Sequence, residues 1–303
     1  MSMNRLSTAE RVRIVACLVE GMSIRATCRI TGYAKGTVLK LLTDLGDACA
    51  DHHDRAARNL TCHRLQLDEL WSFCYAKDRT VARNPALKLR EDGAGDVWTW
   101  TALDADTKFM VNWYVGEKDP PSAYAFLKDL AWRVVNRPQV TTDGFKVYRH
   151  AVQYVFDHNV DYAVLVKVFG EIKPDGRIGT TLAAVVGTEK KIIAGEPDER
   201  HISTSFVERS NLTMRMHTRR YTRCTNAFSK KLANHRAAVE LHFTYYNWCR
   251  VHQTLKQTPA MAAGLADHPW SLDELVGLLE AREDAAIAAG ALKRGSYKPR
   301  NSN

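Results

Sequence analysis

The sequence predicts an α/β protein with a helical N-terminal domain, a mixed-sheet core and C-terminal helices. Three observations predict this fold class. Residues 7–46 show three short helical periods separated by glycines. From Thr61 to about residue 169, β-rich runs alternate with helical patterns. Helical periodicity then returns at Thr204 and dominates the rest of the chain, so strands are confined to the middle.

Composition and charge limit the class of protein. The chain has 303 residues, of which 45% are hydrophobic and 25% charged, enough to form two or three domains with apolar cores. There are 43 Lys and Arg residues against 34 Asp and Glu residues, for a net charge of +9. A surplus of this size favours a polyanionic partner, and the alternative is a basic protein without one.

The cysteines and the hydropathy pattern indicate the compartment. Seven cysteines are scattered singly, without a Cys-x-x-Cys pair, which argues against a disulfide framework and a structural zinc cluster. Charged residues interrupt the N-terminal segment, and no later apolar run reaches membrane-spanning length. We therefore expect a cytoplasmic protein with reduced thiols and no membrane partner.

The first helical segment has a recognisable start signal. Ser7 is an N-cap candidate and Glu10 lies at the capping-box spacing, so a helix is predicted from there to Gly21. A second helix is predicted over Ser23–Ile30 and a third over about Lys35–Leu45. The last two end at Gly32 and Gly46.

This arrangement predicts a helix-turn-helix DNA-binding domain over residues 1–50. Lys35, Thr37 and Lys40 lie at the N-terminal end of its last helix, where side chains contact bases and phosphates. The alternative is an ordinary three-helix bundle without DNA affinity. The polar stretch 51–60 is predicted to be a linker.

A catalytic core is predicted over residues 61–258, in the order β-β-β-α-β-α-β. Asp104–Thr107 is predicted to be the turn of a hairpin. The core is expected to carry an inserted hairpin or flap at 170–200, then helix from Thr204 to about Arg250 with one interruption near Cys224. Residues 259–303 are predicted to form a helix over Ser271–Ala289 and a disordered basic tail. The expected core elements are His63–Phe73, Asp96–Ala105, Lys108–Gly116, a helix from Pro120 to about Val135, a short strand ending at Asp143, a helix over about Lys146–Phe156, and Tyr162–Phe169.

Three acidic residues are the candidate catalytic and metal-ligating groups. Asp68 lies in the apolar run RLQLDELW, Asp143 ends a short strand, and Glu208 lies in a helical segment. A carboxylate among apolar strand residues is costly to bury unless a cation pairs with it, and a divalent metal is the usual partner. Carboxylates that converge from different elements can hold two metal ions for phosphodiester chemistry.

Each acid also has an alternative role. Asp143 precedes Gly144 and would serve as a turn residue, and Glu208 would be a solvated helix position. Glu69, the next residue, is a rival of Asp68, and strand alternation places the two on opposite faces. The sequence alone favours Asp68.

A basic surface follows the candidate glutamate. Arg215 and Arg219 lie seven and eleven residues after Glu208, on the same side of a helix by periodicity. We expect them to contact DNA phosphates, and the alternative is a solvated charged helix.

The blocks around these acids resemble bacterial insertion-sequence transposases of the acidic-triad (DDE) class, most closely the insertion element one type. The likeness covers roughly residues 8–265. It implies a ribonuclease H-like core, in which Asp68, Asp143 and Glu208 match the family's triad and Arg215 its following basic residue. Founding members of that type carry a Cys-rich zinc finger before the helix-turn-helix, and this chain has no such cluster. The blocks that carry the resemblance are LDELWSF, GDVWTWTALDADTK, TTDG, DYAVLVK, HISTSFVERSNLTMRM and FTYYNWCRVHQTLKQTPAMAAG.

The resemblance implies a DNA transposase that binds terminal inverted repeats and catalyses metal-dependent cleavage and strand transfer. Mg²⁺ is the expected cofactor, with Mn²⁺ as a substitute. The expected partners are the element ends, target DNA and at least one further copy of the chain. Two alternatives stay open, a ribonuclease H-like nuclease without transposition and a transposase-derived DNA-binding regulator.

Overall fold

The computed structural model describes residues 5–84, 86–87, 90, 92–172, 182–222 and 225–290. Contacts between residues divide the chain into two compact units. The first unit consists of Met1–Ala56, Cys74–Gly95 and Met214–Asn303, and the second of Ala57–Phe73 and Asp96–Thr213. Among the described residues, no helix combines the length and apolar character needed to cross a bilayer.

The first unit is helical, and its core joins residues far apart in sequence. Side chains such as Ile14, Leu42, Leu241 and Leu275 pack into one apolar cluster. The core therefore forms only when the two ends of the chain come together. The helices of this unit are α1 (Thr8–Val19), α2 (Ile24–Thr31), α3 (Lys35–Ala56), α4 (Asp78–Arg83), α8 (Leu232–Thr244), α9 (Pro259–Ala262) and α10 (Leu272–Ala288), and a π-helical turn, Tyr245–Cys249, follows α8.

Local capping explains where the outer helices begin. Ser7 and Glu10 form a reciprocal capping box at the start of α1, as predicted. Ser271 and Glu274 form the same motif at α10, which confirms that prediction too. Gly32 ends α2 with φ 81°, a left-handed conformation that favours glycine.

The predicted end of α3 at Leu45 is wrong, because the helix continues to Ala56. Gly46 does not end the helix but permits close packing of α3 on α8. A Cβ built at Gly46 would lie 2.6 Å from the Cα of Ala237. The first six residues of the predicted 51–60 linker are consequently helical, and His53 of this stretch is buried.

Gly46→Ala is expected to lower the free energy of unfolding by roughly 1–3 kcal/mol, because the added methyl group overpacks the α3–α8 contact. Gly36→Ala is the matched control, since a Cβ there meets nothing within 4 Å. We expect that control to raise the free energy of unfolding by about 0.5–1 kcal/mol. Chemical denaturation measures both, and equal stabilisation by the two substitutions would contradict the close-packing role of Gly46.

Helix α10 is fastened to α1 by ion pairs around a buried arginine. Arg11 is only 4% exposed, and its guanidinium lies 3.0 Å from Glu283 and 3.8 Å from Glu280. Arg5 pairs with the same Glu283. Charge removal at Glu283 would leave a buried cation without its main partner, so this pairing fixes the position of α10 on α1.

The second unit is built on a six-stranded mixed sheet of order β3-β2-β1-β4-β5-β6. β4 pairs in parallel with β1 and β5, whereas β3 pairs antiparallel with β2 and β6 with β5. This topology is consistent with a ribonuclease H-like core. The strands are β1 (Arg64–Cys74), β2 (Gly95–Asp104), β3 (Met110–Gly116), β4 (Gln139–Thr142), β5 (Asp161–Ile172) and β6 (Leu182–Ala194), and the helices of this region are α5 (Pro120–Arg133), α6 (Tyr148–Val155) and α7 (Ser205–His217).

The predicted hairpin between β2 and β3 is confirmed. Asp104 closes the turn by accepting hydrogen bonds from the backbone amides of Asp106 and Thr107. The predicted inserted hairpin at 170–200 contributes β6, which extends the main sheet, and residues 173–181 lie outside the described residues.

The long helix predicted from Thr204 to Arg250 is interrupted over a wider stretch than expected. Helix α7 ends at His217, a 3₁₀ turn covers Arg219–Tyr221, and α8 begins only at Leu232. Cys224 and the predicted disordered tail after residue 290 lie outside the described residues. The division into domains at 1–50, 51–60, 61–258 and 259–303 stays a prediction.

Candidate active site

Two parallel strands of the second unit bring acidic side chains to one edge of the sheet. Gln66 of β1 is in register with Thr141 of β4. Continued by two residues, this register places Asp68 beside Asp143. Asp68, Glu69 and Asp143 each offer a carboxylate oxygen, and these oxygens lie within 4.8 Å of one another. We call these three residues the carboxylate cluster.

Asp68 has an environment that disfavours its charged form. Burial raises the pKa of its carboxyl to about 7, and the neighbouring Glu69 and Asp143 add to the rise. The amide of Asn211 on α7 donates a hydrogen bond to Asp68 Oδ2 at 2.8 Å and partly offsets this effect. Asp68 is therefore protonated over part of the neutral range unless a cation is bound.

Glu69 is more deeply buried than Asp68. Its side chain is 1% exposed, and Oε2 lies 2.9 Å from the ammonium of Lys118. Burial and then the charge of Asp143 raise the pKa of Glu69, and the nearby Tyr148 hydroxyl and Lys118 oppose the rise. No hydrogen bond of regular geometry reaches Glu69 Oε1 within the described part of the chain, and that buried oxygen can accept a further ligand.

Asp143 combines the turn role with the cluster role. Its Oδ1 accepts a hydrogen bond from the backbone amide of Phe145 at 2.9 Å, as in an Asx turn. The preceding Thr142 hydroxyl is 2.9 Å from the hydroxyl of Tyr162, which fixes the end of β4. The turn therefore orients the carboxylate toward Asp68 instead of competing with a cluster role.

Glu208 lies outside the carboxylate cluster. It occupies the first turn of α7, where Oε1 accepts hydrogen bonds from Lys167 at 2.7 Å and from the Thr204 hydroxyl at 2.6 Å. Asn211, which contacts Asp68, lies three residues later, on the same face of α7. The helix that carries Glu208 is thus in direct contact with the cluster, although Glu208 itself pairs with a lysine.

The predicted DNA-contacting residues occupy different surroundings. Lys35 is exposed at the start of α3 and lines a groove of the first unit, which Arg219 also lines. Thr37 is half-buried at the third position of α3, and Lys40 pairs with Asp44 at 2.6 Å on the helix surface. Arg215 is half-buried and donates to the Tyr221 carbonyl at 3.5 Å.

Sequence reasoning missed part of this site. Strand alternation presented Glu69 as a rival of Asp68, whereas oxygens of both side chains lie close to Asp143. The i, i+3 spacing from Glu208 to Asn211 was a readable signal of a shared helix face. No local pattern singles out Lys118 or Tyr148, because their sequence separation from β1 hides the contact.

The residues of the cluster suit a divalent cation. Three carboxylates supply the hard oxygen ligands that Mg²⁺ and Mn²⁺ take. Only one cationic side chain, Lys118, forms an ion pair with these three acids among the described residues. Negative charge therefore remains for a metal to neutralise.

A comparison with solved structures finds a distant likeness. No family model matches the chain, and no curated protein matches its sequence. Among solved structures, the chain is similar to a piggyBac transposase in a synaptic complex with hairpin DNA. The TM-score is 0.35 at 11% sequence identity, over 97% of this chain and 77% of that one. A likeness at this level assigns neither a family nor an activity.

Proposed function

We propose that the protein is a DDE-type DNA transposase that cleaves DNA and transfers the cut strand at the carboxylate cluster. The convergence of Asp68, Glu69 and Asp143 at the ends of two parallel strands carries this proposal. Buried acids that raise one another's pKa are costly for a fold, and such clusters occur where metal-dependent chemistry needs them.

Asp68 and Asp143 would hold the metal, with Glu208 as the third ligand. Mg²⁺, when bound, would polarise the scissile phosphate and lower the pKa of an attacking water or hydroxyl. Glu208 would first leave its ion pair with Lys167, a half-exposed pair that contributes little to stability. Glu69 would stay paired with Lys118, which neutralises its charge.

The helices α1–α3 would bind the terminal inverted repeats. Lys35, Thr37 and Lys40 at the N-terminal end of α3 would contact the duplex, and Arg215 and Arg219 would contact phosphates near the cut. Paired ends require at least two copies of the chain on DNA. The protein would act in the cytoplasm, at the nucleoid.

Cleavage of a labelled duplex that carries the element's terminal repeat tests this function. We expect Mg²⁺-dependent cutting at the element boundary, absent with a chelator, that leaves a 3′-hydroxyl. Glu208→Gln should lower the rate by about a hundredfold, roughly 3 kcal/mol of transition-state stabilisation. Glu196→Gln is the matched control, because Glu196 is exposed in the same unit and lies outside the cluster.

The other outcomes separate the remaining functions. Cutting without preference for the terminal repeat would indicate a nuclease instead of a transposase. Repeat-specific binding without cutting would indicate a DNA-binding regulator. Cutting that survives Glu208→Gln but not Glu69→Gln would replace Glu208 by Glu69 as the third ligand.

A further inference from the structure

A groove in the first unit shares no lining residue with the carboxylate cluster, and its charged lining residues are all positive. Its volume is ≈ 620 Å³, within the usual range for ligand sites. The walls come from the turn between α1 and α2, the start of α3, residues 217–220 and 225–231, and α8. We call it the basic groove, since no Asp or Glu is among its described lining residues and six cations are: Arg25, Lys35, Arg219, Arg220, Lys230 and Lys231.

Two of these cations bond to polar or acidic groups of the protein, and the other four can pair with a bound anion. Arg220 donates to the Ser229 hydroxyl and the Asn234 carbonyl, and Lys231 pairs with Asp92 at 2.9 Å. The other four cations have no acidic side chain within 4.0 Å among the described residues. They are Arg25, Lys35, Arg219 and Lys230, and all four are exposed. Uncompensated cations on both walls attract a polyanion.

The groove also presents apolar and aromatic surface between the cations. Met22 is 38% exposed, and the Lys230 ammonium lies 3.8 Å from the centroid of the half-buried Phe228 ring. A ligand made only of phosphate would gain no binding energy from the apolar and aromatic side chains. A strand with unstacked bases would gain binding energy from the rings and from the cations, since bases stack on aromatic rings while phosphates pair with Lys and Arg.

One buried histidine in the lining has a ring nitrogen without a hydrogen-bond partner among the described residues. His242 is 6% exposed, and its Nε2 has no hydrogen-bond partner in the described structure. Burial keeps the pKa of His242 far below its usual value, so the ring is neutral and adds no charge to the groove.

The groove is preformed by a close backbone contact. Gly21 has φ 79°, and a Cβ there would lie 2.8 Å from the carbonyl oxygen of Met216. Only glycine allows the turn after α1 to approach residues 216–217 so closely. The cationic walls are therefore held apart at a fixed spacing before any ligand binds.

We propose that the basic groove binds a single strand of DNA, with phosphates on Arg25, Lys35, Arg219 and Lys230 and a base against Phe228. A duplex hides its bases in the stack and could not place one against Phe228. The site does not depend on the carboxylate cluster or on metal, and it provides a place for a strand that is unpaired during DNA processing.

Fluorescence anisotropy with labelled oligo-dT of about 12 nucleotides tests the site, a length within the usual span of single-strand sites. The full chain is used, in EDTA, across a salt series, beside a duplex of equal length. Arg219→Gln combined with Lys230→Gln should weaken oligo-dT binding about tenfold and reduce the salt slope by about 1.4. Phe228→Leu should weaken it about fivefold, the loss of one stacked base.

The matched control is Arg29→Gln combined with Arg79→Gln, which removes the same charge from exposed positions outside the groove. We expect this pair to bind oligo-dT nearly as the wild type does. Equal losses in the groove and control variants would overturn the proposal. So would an equal loss of duplex and oligo-dT affinity in the groove variant, or an unchanged affinity of Phe228→Leu. Either result would indicate a site for polyanions in general. If the first pair unfolds, Arg25→Gln with Lys35→Gln tests the opposite wall.

Discussion

We expect the Asp68→Asn protein to cleave terminal-repeat DNA at least about a thousandfold more slowly than the wild type, a loss of about 4 kcal/mol of transition-state stabilisation. Asparagine keeps the shape of the side chain and can still bond Asn211 of α7. It removes the negative charge from the centre of the carboxylate cluster, where a divalent cation would be held. Rapid-quench measurement of the cut strand with saturating Mg²⁺ gives the rate.

DNA binding should be unchanged in the same variant, because the helices α1–α3 and the basic groove belong to the other unit. Asp157→Asn provides the control. Asp157 is an exposed carboxylate in a turn with φ 48°, a conformation that asparagine tolerates. Loss of DNA binding together with cleavage would show that Asp68 is needed for folding and not for the chemistry.

The second large effect concerns stability in the absence of metal. The pKa of Asp68 is about 7 in the folded protein and near 3.8 when unfolded. Between these values the folded state retains a proton that the unfolded state has lost, so stability falls as pH rises toward 7. Asp68→Asn should therefore stabilise the metal-free protein relative to wild type by roughly 2–3 kcal/mol more at pH 8 than at pH 5.

The comparison with wild type is needed because buried histidines change the free energy of unfolding with pH in the opposite direction from Asp68. His52, His235 and His242 all have lowered pKa values, and they lose their stabilising contribution as pH falls below about 6.5. They are the same in both proteins and cancel in the difference. Urea denaturation in EDTA at the two pH values measures the difference in free energy of unfolding between the two proteins. A difference that does not change with pH would contradict the raised pKa of Asp68.

Repeating the denaturation with added Mg²⁺ gives an independent test of the site. Metal binding to the folded state stabilises the wild type, and more so at pH 8, where Asp68 is ionised. Asp68→Asn should lose most of this response. Stabilisation of both proteins to the same extent would place the metal elsewhere.

The sequence predicted those features that short-range chemistry determines. Capping boxes at Ser7 and Ser271 and the Asp104 turn depend on residues three apart, and each is present. The end of α3 was missed because the role of Gly46 depends on Ala237, far along the chain. A glycine that ends a helix and one that admits a neighbouring helix look alike locally.

The candidate site shows the same limit. Asp68 and Asp143 could be singled out because a carboxylate in a strand, or just after one, is unusual. The inclusion of Glu69 follows from the position of Asp143 beside both acids, which alternation within β1 does not encode. The ion pair of Glu208 with Lys167 likewise depends on how α7 lies against β5.

The dependence of α1 on α10 has a consequence for synthesis of the protein. The ribosome releases α1–α3 before α10. Arg11 can therefore form its ion pairs with Glu280 and Glu283 only after α10 has emerged. Because Leu275 and Leu279 complete the same core, the newly made N-terminal helices lack part of their packing until α10 has been synthesised. A nascent or truncated chain that ends before α10 would therefore lack a fully packed first unit.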